Sequence, residues 1–433
     1  MVSSWICWLG LLLAACLVDA GTVNIAGVDN KNAVQGSFIA VFNKTATEDQ
    51  IQKCRDDMVA TMRKRDLENG GDGTGADNHQ YVNVTGFRAM ACQTDAATVA
   101  EMQEMANNTI AWVEAVQTVN LPDMEMVQQQ QEVSSQSVDR LAIANNSQTS
   151  IQAAEAPSSE EQGQGVSMYI MDTGCNTQHN VFTGRAKTIA NLVPGESDTD
   201  LNGHGTHTAG SAGGAAVGIA SQADVRCVKI LNAKGSGDTR AILTGFQAVV
   251  QDAQNTDRTG RCVVNLSLAS SFSQAVNDMA NAVGQSCGVC VAAGNDGKDA
   301  SGFSPASAPG AICVGAVNST DQNLSIASFS NRGQQVSIMA PGVNVISADF
   351  QNPGGVKPLS GTSMASPQIA GLCAGVIAGM SQPCTGSCSQ MCLQQLQSDA
   401  ASDTRVANVP PGTTNLRVDT SNQVPIAVSS SGR

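Results

Sequence analysis

Residues 166–174 read Val-Ser-Met-Tyr-Ile-Met-Asp-Thr-Gly, a short and mainly apolar run that stops at Asp172 before a turn signal. A run of this length followed by Gly favours a buried β-strand over a helix. Similar short apolar runs recur at 225–231, 263–268, 289–293 and 312–317. Strands that are apolar throughout belong to parallel sheets, because helices cover both of their faces. The pattern therefore predicts an α/β domain with a mostly parallel sheet and helices on both faces.

Helical patterns lie between these apolar runs. Asp238 precedes one segment with apolar residues at helical spacing, and Ser273 precedes another. Asp and Ser are typical helix N-caps, since their oxygens accept hydrogen bonds from free N–H groups. In sheets of this kind, functional side chains gather beyond the carboxyl ends of the strands. We expect Asp172 and Asn295 to lie there.

Three motifs carry the residue types of nucleophilic catalysis, in the order Asp, His, Ser. They are Met171-Asp172-Thr173-Gly174, Gly203-His204-Gly205-Thr206-His207 and Gly361-Thr362-Ser363-Met364-Ala365-Ser366-Pro367. A serine hydroxyl attacks a peptide carbonyl when an imidazole takes its proton, and a buried carboxylate holds that imidazole in the correct tautomer. Ser363 precedes a helical run, where free N–H groups favour developing negative charge. We predict Asp172, His204 and Ser363 as a catalytic triad.

Each motif alone has a simpler explanation as a turn, a loop or a packed histidine, but their conjunction is specific. Together they resemble the signatures of the subtilisin-like serine protease family, and residues 301–310, 329–333 and 412–416 resemble its proteinase K-like branch. The resemblance covers nearly the whole chain after residue 20. It implies a secreted serine endopeptidase of broad specificity that forms an acyl-enzyme on Ser363. His207 is interpreted as structural.

The resemblance also assigns residues around the triad. Asn295 matches the family's oxyanion-stabilising Asn, although a turn residue after a strand is the alternative interpretation. The strand that pairs with the substrate backbone matches Gly235, Ser236 and Gly237. The walls of the pocket for the side chain before the cut match Ser267, Leu268, Ala269, Ala292, Ala293 and Gly294.

Two departures from the family pattern bear on specificity and on cofactors. Ala269 stands where the family usually has Gly, and its methyl group predicts a preference for small-to-medium apolar side chains over Phe or Tyr. Ser337 stands where proteinase K-like members carry a calcium-binding Asp, and hard cations need charged oxygen ligands. No cofactor is expected to be required; calcium binding stays open as an alternative, but no calcium or other metal site can be assigned.

Residues 37–116 read as strand, helix, two strands, helix, strand. Thr47 and Gln50 form a capping-box pattern before the first helix, and Thr94 is predicted to open the second. This order, with Val113-Glu114 near its end, resembles the inhibitory prodomain of subtilisin-like precursors, a small α+β unit of ferredoxin-like form. An independent small α+β module is the alternative.

The flanking segments complete a precursor-like organisation. Residues 1–20 contain an apolar stretch and end in a small-x-small pattern, which predicts a signal peptide, with an uncleaved anchor as the alternative. The resemblance implies an inhibitory propeptide over 21–124, with its end between 117 and 133. A linker and mature N-terminal segment over 125–164 and a catalytic domain over 165–433 follow. We therefore expect a precursor that processes itself and is inhibited by its own propeptide.

Cysteine usage and charge restrict the compartment and the partners. The chain has 14 cysteines, of which ten follow the predicted propeptide, and an exported chain is expected to pair them in disulfides. Cys287 and Cys290 are expected in disulfides or as buried thiols. Six sequons favour a secreted glycoprotein, namely Asn43, Asn83, Asn107, Asn145, Asn318 and Asn323.

The net charge of -14 disfavours nucleic acid, because phosphate binding relies on clustered Lys and Arg. No segment after the signal is long and apolar enough to predict a membrane span. We expect protein or peptide substrates and a monomeric enzyme. A catalytically silent relative that binds or inhibits other proteins is the alternative from another class. A dinucleotide-binding protein is disfavoured, since no Gly-x-Gly-x-x-Gly follows the first strand of the domain.

Overall fold

A computed structural model describes residues 25–106, 108–121, 162–319, 321, 324–400 and 405–418. Its residues up to 121 form the N-terminal unit, and those from 162 onward form the C-terminal unit. The predicted signal peptide and nearly all of the predicted linker lie outside the described residues.

The strands and helices are numbered in chain order. The strands are β1 Ala33–Phe42, β2 His79–Val84, β3 Phe87–Gln93, β4 Ile110–Asn120, β5 Ser167–Asp172, β6 Ala186–Asn191, β7 Asp224–Lys229, β8 Ser236–Asp238, β9 Cys262–Leu266, β10 Ser270–Ser271, β11 Gly288–Ala292, β12 Phe303–Ser304, β13 Ile312–Val317, β14 Ile338–Pro341, β15 Val345–Ala348 and β16 Val356–Leu359. The helices are α1 Glu48–Glu68, α2 Ala96–Met105, α3 His204–Gly213, α4 Thr239–Asn255, α5 Gln274–Val283, α6 Thr362–Ala378 and α7 Cys388–Asp399.

A seven-stranded sheet in the order β14-β13-β11-β9-β5-β7-β6 forms the centre of the C-terminal unit. Each pair of neighbouring strands is parallel. The five apolar runs of the sequence all form strands of this sheet, so the predicted parallel α/β architecture is confirmed.

Alternate residues of β5 show how both faces of the sheet are covered. Met168 and Ile170 belong to one apolar core, which includes residues of α3 and α6. Tyr169 and Met171 belong to the other, which includes residues of α4 and α5. All four side chains are fully buried, and helices therefore lie on both faces, as the continuous apolar runs predicted.

The N-terminal unit is a four-stranded antiparallel sheet in the order β2-β3-β1-β4 with two helices. With the element order β-α-β-β-α-β, this is the ferredoxin-like arrangement that was predicted. Thr47 caps α1 in a capping box. The second helix begins later than predicted, since the Thr94 N–H donates to Gly36 O and Asp95 caps the helix instead.

Four disulfides cross-link the C-terminal unit, and they join Cys175 to Cys227, Cys262 to Cys287, Cys373 to Cys392 and Cys384 to Cys388. Cys290 and Cys313 remain buried thiols. Burial raises the pKa of the Cys313 thiol to about 12, so this group stays protonated at neutral pH. The expectation for Cys287 and Cys290 is met by one disulfide and one buried thiol. Among the described helices, none has the length and apolar character needed to span a membrane.

Candidate active site

Asp172 and His204 form a buried hydrogen-bonded pair. Asp172 is the last residue of β5, and His204 is the first residue of α3. The His204 Nδ1 atom lies 2.8 Å from Asp172 Oδ1 and 2.9 Å from Oδ2. Because an ionised carboxylate only accepts hydrogen bonds, this contact places the proton on Nδ1 and leaves Nε2 with the lone pair of a base.

The loop after Asp172 packs closely on the start of the His204 helix. A Cβ atom at Gly205 would lie 2.0 Å from Gly174 O, so only glycine fits between the two segments. The Gly205 N–H also donates to Thr173 Oγ1 at 2.9 Å. This close approach, which needs a residue without a side chain, brings the two motifs together.

Asp200 is a buried carboxylate that joins the same two segments, and sequence reasoning missed it. Its Oδ1 atom accepts from Thr173 Oγ1, Asn202 N and Gly203 N at 2.8–2.9 Å. Its Oδ2 atom accepts from Thr206 N and Thr206 Oγ1 at 2.9 and 2.7 Å. The side chain thereby supplies acceptors to the N-terminus of α3. The available signal was an acidic residue four positions before the motif histidine, a spacing from which it reaches the first turn of the helix.

Ser363 lies in the first turn of α6, which begins at Thr362, two residues earlier than expected. Its backbone N–H is therefore one of the free donors at a helix start. The Ser363 hydroxyl donates to Ser267 O at 2.9 Å, and Ser267 Oγ donates to Ser363 O at 2.7 Å. The structure thus ties Ser363 to the predicted pocket wall, and the described hydrogen bonds include none between Ser363 and His204.

The side-chain amide of Asn295 has a defined orientation. Its Oδ1 atom accepts from Thr362 N at 2.9 Å and from Thr362 Oγ1 at 2.8 Å. Because both groups of Thr362 act as donors, the amide atom that faces them is the oxygen, and Nδ2 is directed away from Thr362. A Cβ placed on Gly361 would be 3.3 Å from this nitrogen and 3.6 Å from Ser363 N. Asn295 Nδ2 and Ser363 N are therefore two donors that serve one small region beside Ser363.

The predicted substrate-pairing segment is already paired with the N-terminal unit. Strand β4 runs antiparallel to β8, with Thr118, Val119 and Asn120 opposite Asp238, Gly237 and Ser236. The Leu121 N–H then donates to Gly235 O at 2.9 Å. The backbone groups of Gly235, Ser236 and Gly237 thus form a strand edge that accepts another chain segment in extended form.

The two predicted walls of the side-chain pocket face each other. A Cβ atom on Gly294 would lie 3.9 Å from the Ala269 Cβ atom. Gly294 has φ +101° and its N–H donates to Thr362 Oγ1 at 3.1 Å, so the wall continues into the Asn295 region. Ser267, Leu268, Ala292 and Ala293 are buried beside it. The methyl group of Ala269 therefore projects into the space between the walls.

His207, which the sequence analysis interprets as structural, and Ser337, which stands in place of a calcium-binding Asp, both make structural hydrogen bonds. The His207 Nε2 atom lies 3.1 Å from both Val345 O and Lys357 O, which belong to the hairpin of β15 and β16. Burial lowers the pKa of His207 to about 3, so it stays neutral. The Ser337 hydroxyl donates to Gln335 O at 3.3 Å.

Comparison with known proteins agrees with this geometry. The family model described as "Subtilase family" matches residues 163–415. "Subtilisin-like protease 1" of Pseudogymnoascus destructans is 38% identical over 368 residues, which cover 84% of this chain and 86% of that protein. "Subtilisin-like protease 3" of Trichophyton equinum is 35% identical over 370 residues, which cover 84% and 88%. The crystal structure of a cold adapted subtilisin-like serine proteinase is 34% identical with a TM-score of 0.54, and covers 64% of this chain and 96% of its own.

The parallel sheet, the buried Asp–His pair at its carboxyl edge and the serine at a helix start define an α/β serine hydrolase. The chain belongs to the subtilase family and is a subtilisin-like serine endopeptidase.

Proposed function

We propose that this chain is a secreted serine endopeptidase made as a self-inhibited precursor, with Asp172, His204 and Ser363 as its catalytic triad. The observation that carries the proposal is the bond from His204 Nδ1 to both oxygens of Asp172. It fixes the ring in the tautomer in which Nε2 acts as a base. Membership of the subtilase family supports the same role for these three residues.

The residues account for each step of peptide hydrolysis. Ser363 Oγ attacks the scissile carbonyl carbon while its proton passes to His204 Nε2, and the carbonyl π-bond electrons move to the oxygen. Asn295 Nδ2 and Ser363 N donate hydrogen bonds to that oxyanion. When the intermediate collapses, the C–N bond breaks and the amine leaves with the proton from His204. Water then hydrolyses the Ser363 ester with His204 again as the base.

One side-chain movement precedes the first step. The Ser363 hydroxyl donates to Ser267 O, so its O–H must turn away from that oxygen to donate to His204 Nε2 instead. A serine changes between such rotamers rapidly, and the helix start fixes its backbone. The resting bond to Ser267 is therefore compatible with catalysis.

The N-terminal unit acts as the inhibitor in this proposal. Its strand β4 pairs with Gly235–Gly237, the edge that would bind the backbone of an extended substrate. The Glu114 carboxylate on the same strand accepts hydrogen bonds from Ser273 Oγ and from Ala275 N, at the start of α5. These contacts support inhibition by the N-terminal unit: β4 occupies the edge that would bind the substrate, and Glu114 adds a second contact at the start of α5.

The pocket geometry supports the proposed preference for small-to-medium apolar side chains before the cut. Ala269 places a methyl group where its Cβ lies within 3.9 Å of a Cβ position on the opposite wall. A ring as large as that of Phe needs this space, and tight packing penalises even one extra methyl group. Backbone pairing along Gly235–Gly237 places little demand on the other side chains, so specificity remains broad.

The state of the cysteines and the first twenty residues of the sequence support secretion. Four disulfides lie in the C-terminal unit, and disulfides persist in oxidising compartments. The described thiols Cys54, Cys92, Cys290 and Cys313 are all buried. Residues 1–20 also carry the apolar stretch and the small-x-small pattern that predict a signal peptide.

The proposal is tested with the full chain and its Ser363→Ala variant. We expect the wild type to shorten, to hydrolyse a peptide anilide and to react with a fluorophosphonate at Ser363. The variant should stay full length, and its hydrolysis should fall by about 10⁶-fold, a magnitude taken from a member of the same family. Ser301→Ala, an exposed serine of the same unit, is the matched control and should behave as the wild type.

A wild type that stays full length and inert, even after added protease removes the N-terminal unit, would contradict the proposal. That result would favour a catalytically silent relative. Chain shortening in the Ser363→Ala variant would show instead that another protease performs the processing.

A further inference from the structure

Lys229 is a fully buried lysine beside the catalytic aspartate. It ends β7, and its Cα position pairs with that of Asp172 in the neighbouring strand. Its Nζ atom donates to Thr173 O at 2.7 Å and forms an ion pair with Glu196 Oε2 at 3.1 Å. A buried ammonium group is costly unless it is paired, so this arrangement constrains the elements that it joins.

Glu196 carries the connection from Lys229 to the substrate edge. Both of its oxygens accept the Ala233 N–H, at 3.0 and 3.1 Å. This backbone hydrogen bond and the bond from Lys229 lower the pKa of Glu196, so the carboxylate stays ionised. The pair therefore links the loop that follows Asp172 to Ala233, two residues before Gly235.

Ala233 is also held from the side of the catalytic histidine. Its carbonyl accepts from Asn202 Nδ2 at 3.1 Å, and Asn202 Oδ1 accepts the His204 N–H at 3.2 Å. The turn that follows is closed by Asn232, whose Oδ1 accepts from Lys234 N and Ser236 N. We call residues 232–237 the edge segment. The N–H of Ala233 is thus bonded to Glu196, the partner of Lys229, and its carbonyl is bonded to Asn202, which contacts the His204 N–H.

We propose that Glu196 and Lys229 are positioning residues that set the edge segment relative to Asp172 and His204, and so fix the register of an extended substrate. The inference rests on the proposed function, because it requires substrates to pair with Gly235–Gly237. A substrate that reaches only the side-chain pocket does not use this edge. The pair therefore affects long substrates selectively.

The test compares an anilide with four residues before the cut and a single-residue ester, both assayed on Glu196→Gln and Lys229→Met. Rates are expressed per reactive Ser363 after fluorophosphonate titration, so that lost folding does not count as lost catalysis. We expect kcat/KM on the extended anilide to fall about tenfold, mainly through KM, and the ester rate to change by less than about twofold. Lys187→Met, an exposed lysine on the adjacent strand β6, is the control and should change neither rate.

A double variant sharpens the test because both residues act through one ion pair. Glu196→Gln with Lys229→Met should lose about as much as either single variant, whereas independent residues would multiply their losses. If Lys229→Met does not fold, the two-substrate ratio of Glu196→Gln decides alone. Equal losses on both substrates, or no loss, would overturn the inference. A wild type that cleaves neither substrate and does not react at Ser363 would instead overturn the proposed function.

Discussion

Asp200 and Glu114 are both carboxylates with 3% of their surface exposed, and each accepts hydrogen bonds at the start of a helix. They differ in where their donors lie. Asp200 accepts all of its bonds within the C-terminal unit. Glu114, in the N-terminal unit, accepts from Ser273 and Ala275 of the other unit. Under the proposed function, equal burial therefore supports a permanent part of the active site in the case of Asp200 and a separable contact in the case of Glu114.

The apolar surfaces of the two units show the same difference. In β1, Phe38, Ala40 and Phe42 face the helices of the N-terminal unit. Ile39 and Val41 join the core that contains residues of α4 and α5. One face of the N-terminal sheet is thus buried only by docking, whereas the seven-stranded sheet has helices of its own unit on both faces. Separation of the two units would expose this apolar face of the N-terminal sheet to water, which is unfavourable. The central core of the C-terminal unit would stay buried.

The largest effect in this group of predictions concerns a donor in the permanent part. We expect Asn295→Ala to lower kcat by about 10²–10³, or about 3 kcal/mol, with little change in KM, because the oxyanion forms only after attack. The magnitude is taken from a member of the same family. The measurement is steady-state hydrolysis of a peptide anilide.

Binding of the N-terminal unit should be unaffected by this change, since that contact involves no oxyanion. A matching loss of inhibition would contradict the assignment and indicate a structural role for Asn295.

A smaller loss of kcat is expected when Asp200, the carboxylate within the C-terminal unit, is altered. Asp200→Asn replaces one accepting oxygen by an NH₂ group and leaves at least two buried donors without a partner, each costing about 1–3 kcal/mol. We expect kcat to fall about 10- to 100-fold, together with a lower melting temperature, because the loop of Asp172 and the helix of His204 lose their common anchor. Rates per titrated Ser363 separate the two effects. An Asn variant with wild-type kcat would show that Asp200 supports only stability.

Because Glu114 lies in the contact between the two units, its titration is expected to change inhibition with pH and to leave kcat unchanged. Burial raises the pKa of Glu114 above its ordinary 4.5 in the precursor, although its hydrogen bonds oppose the shift. The docked state therefore binds a proton more tightly than the separated unit, so docking strengthens as pH falls through the raised pKa. This additional binding free energy is fully present below pH 4.5, the ordinary pKa of the separated unit, and is lost as the pH rises through the raised pKa.

The fluorescence of Trp112 measures this binding directly, because the chain has no tryptophan after residue 112. The N-terminal unit is titrated into the C-terminal unit carrying Ser363→Ala at several pH values. Glu114→Gln should remove most of the severalfold pH dependence and leave kcat unchanged. An unchanged slope in this variant would assign the titration to another group.

The smallest effect is expected at a site that neither carboxylate contacts. Ala269→Gly removes the methyl group between the pocket walls and should raise the ratio of Phe to Ala cleavage about threefold. Matched Ala, Leu and Phe anilides measure the ratio. A wild type that already cleaves the Phe anilide fastest would contradict the proposed preference.

Much of the architecture followed from the sequence because its signals are local. The apolar runs predicted the buried strands, and Thr47, Asp238 and Ser273 were identified as helix caps because a cap bonds a backbone N–H three residues away. The three motifs placed Asp172 and His204 at element ends, where the structure brings them into contact. The error at Thr94 had a nonlocal cause, since its N–H pairs with Gly36 in the sheet.

Residues that act through distant partners were decided by tertiary structure alone. The pairing of ten cysteines, two of which stay as thiols, depends on which strands and helices meet. The bond of Glu196 to Lys229 and the contact of Glu114 with α5 join segments 33 and about 160 residues apart in sequence. A sequence states which side chains carry charge and which are apolar. Only the packed fold decides which buried charge meets which partner, because burial makes that pairing energetically obligatory.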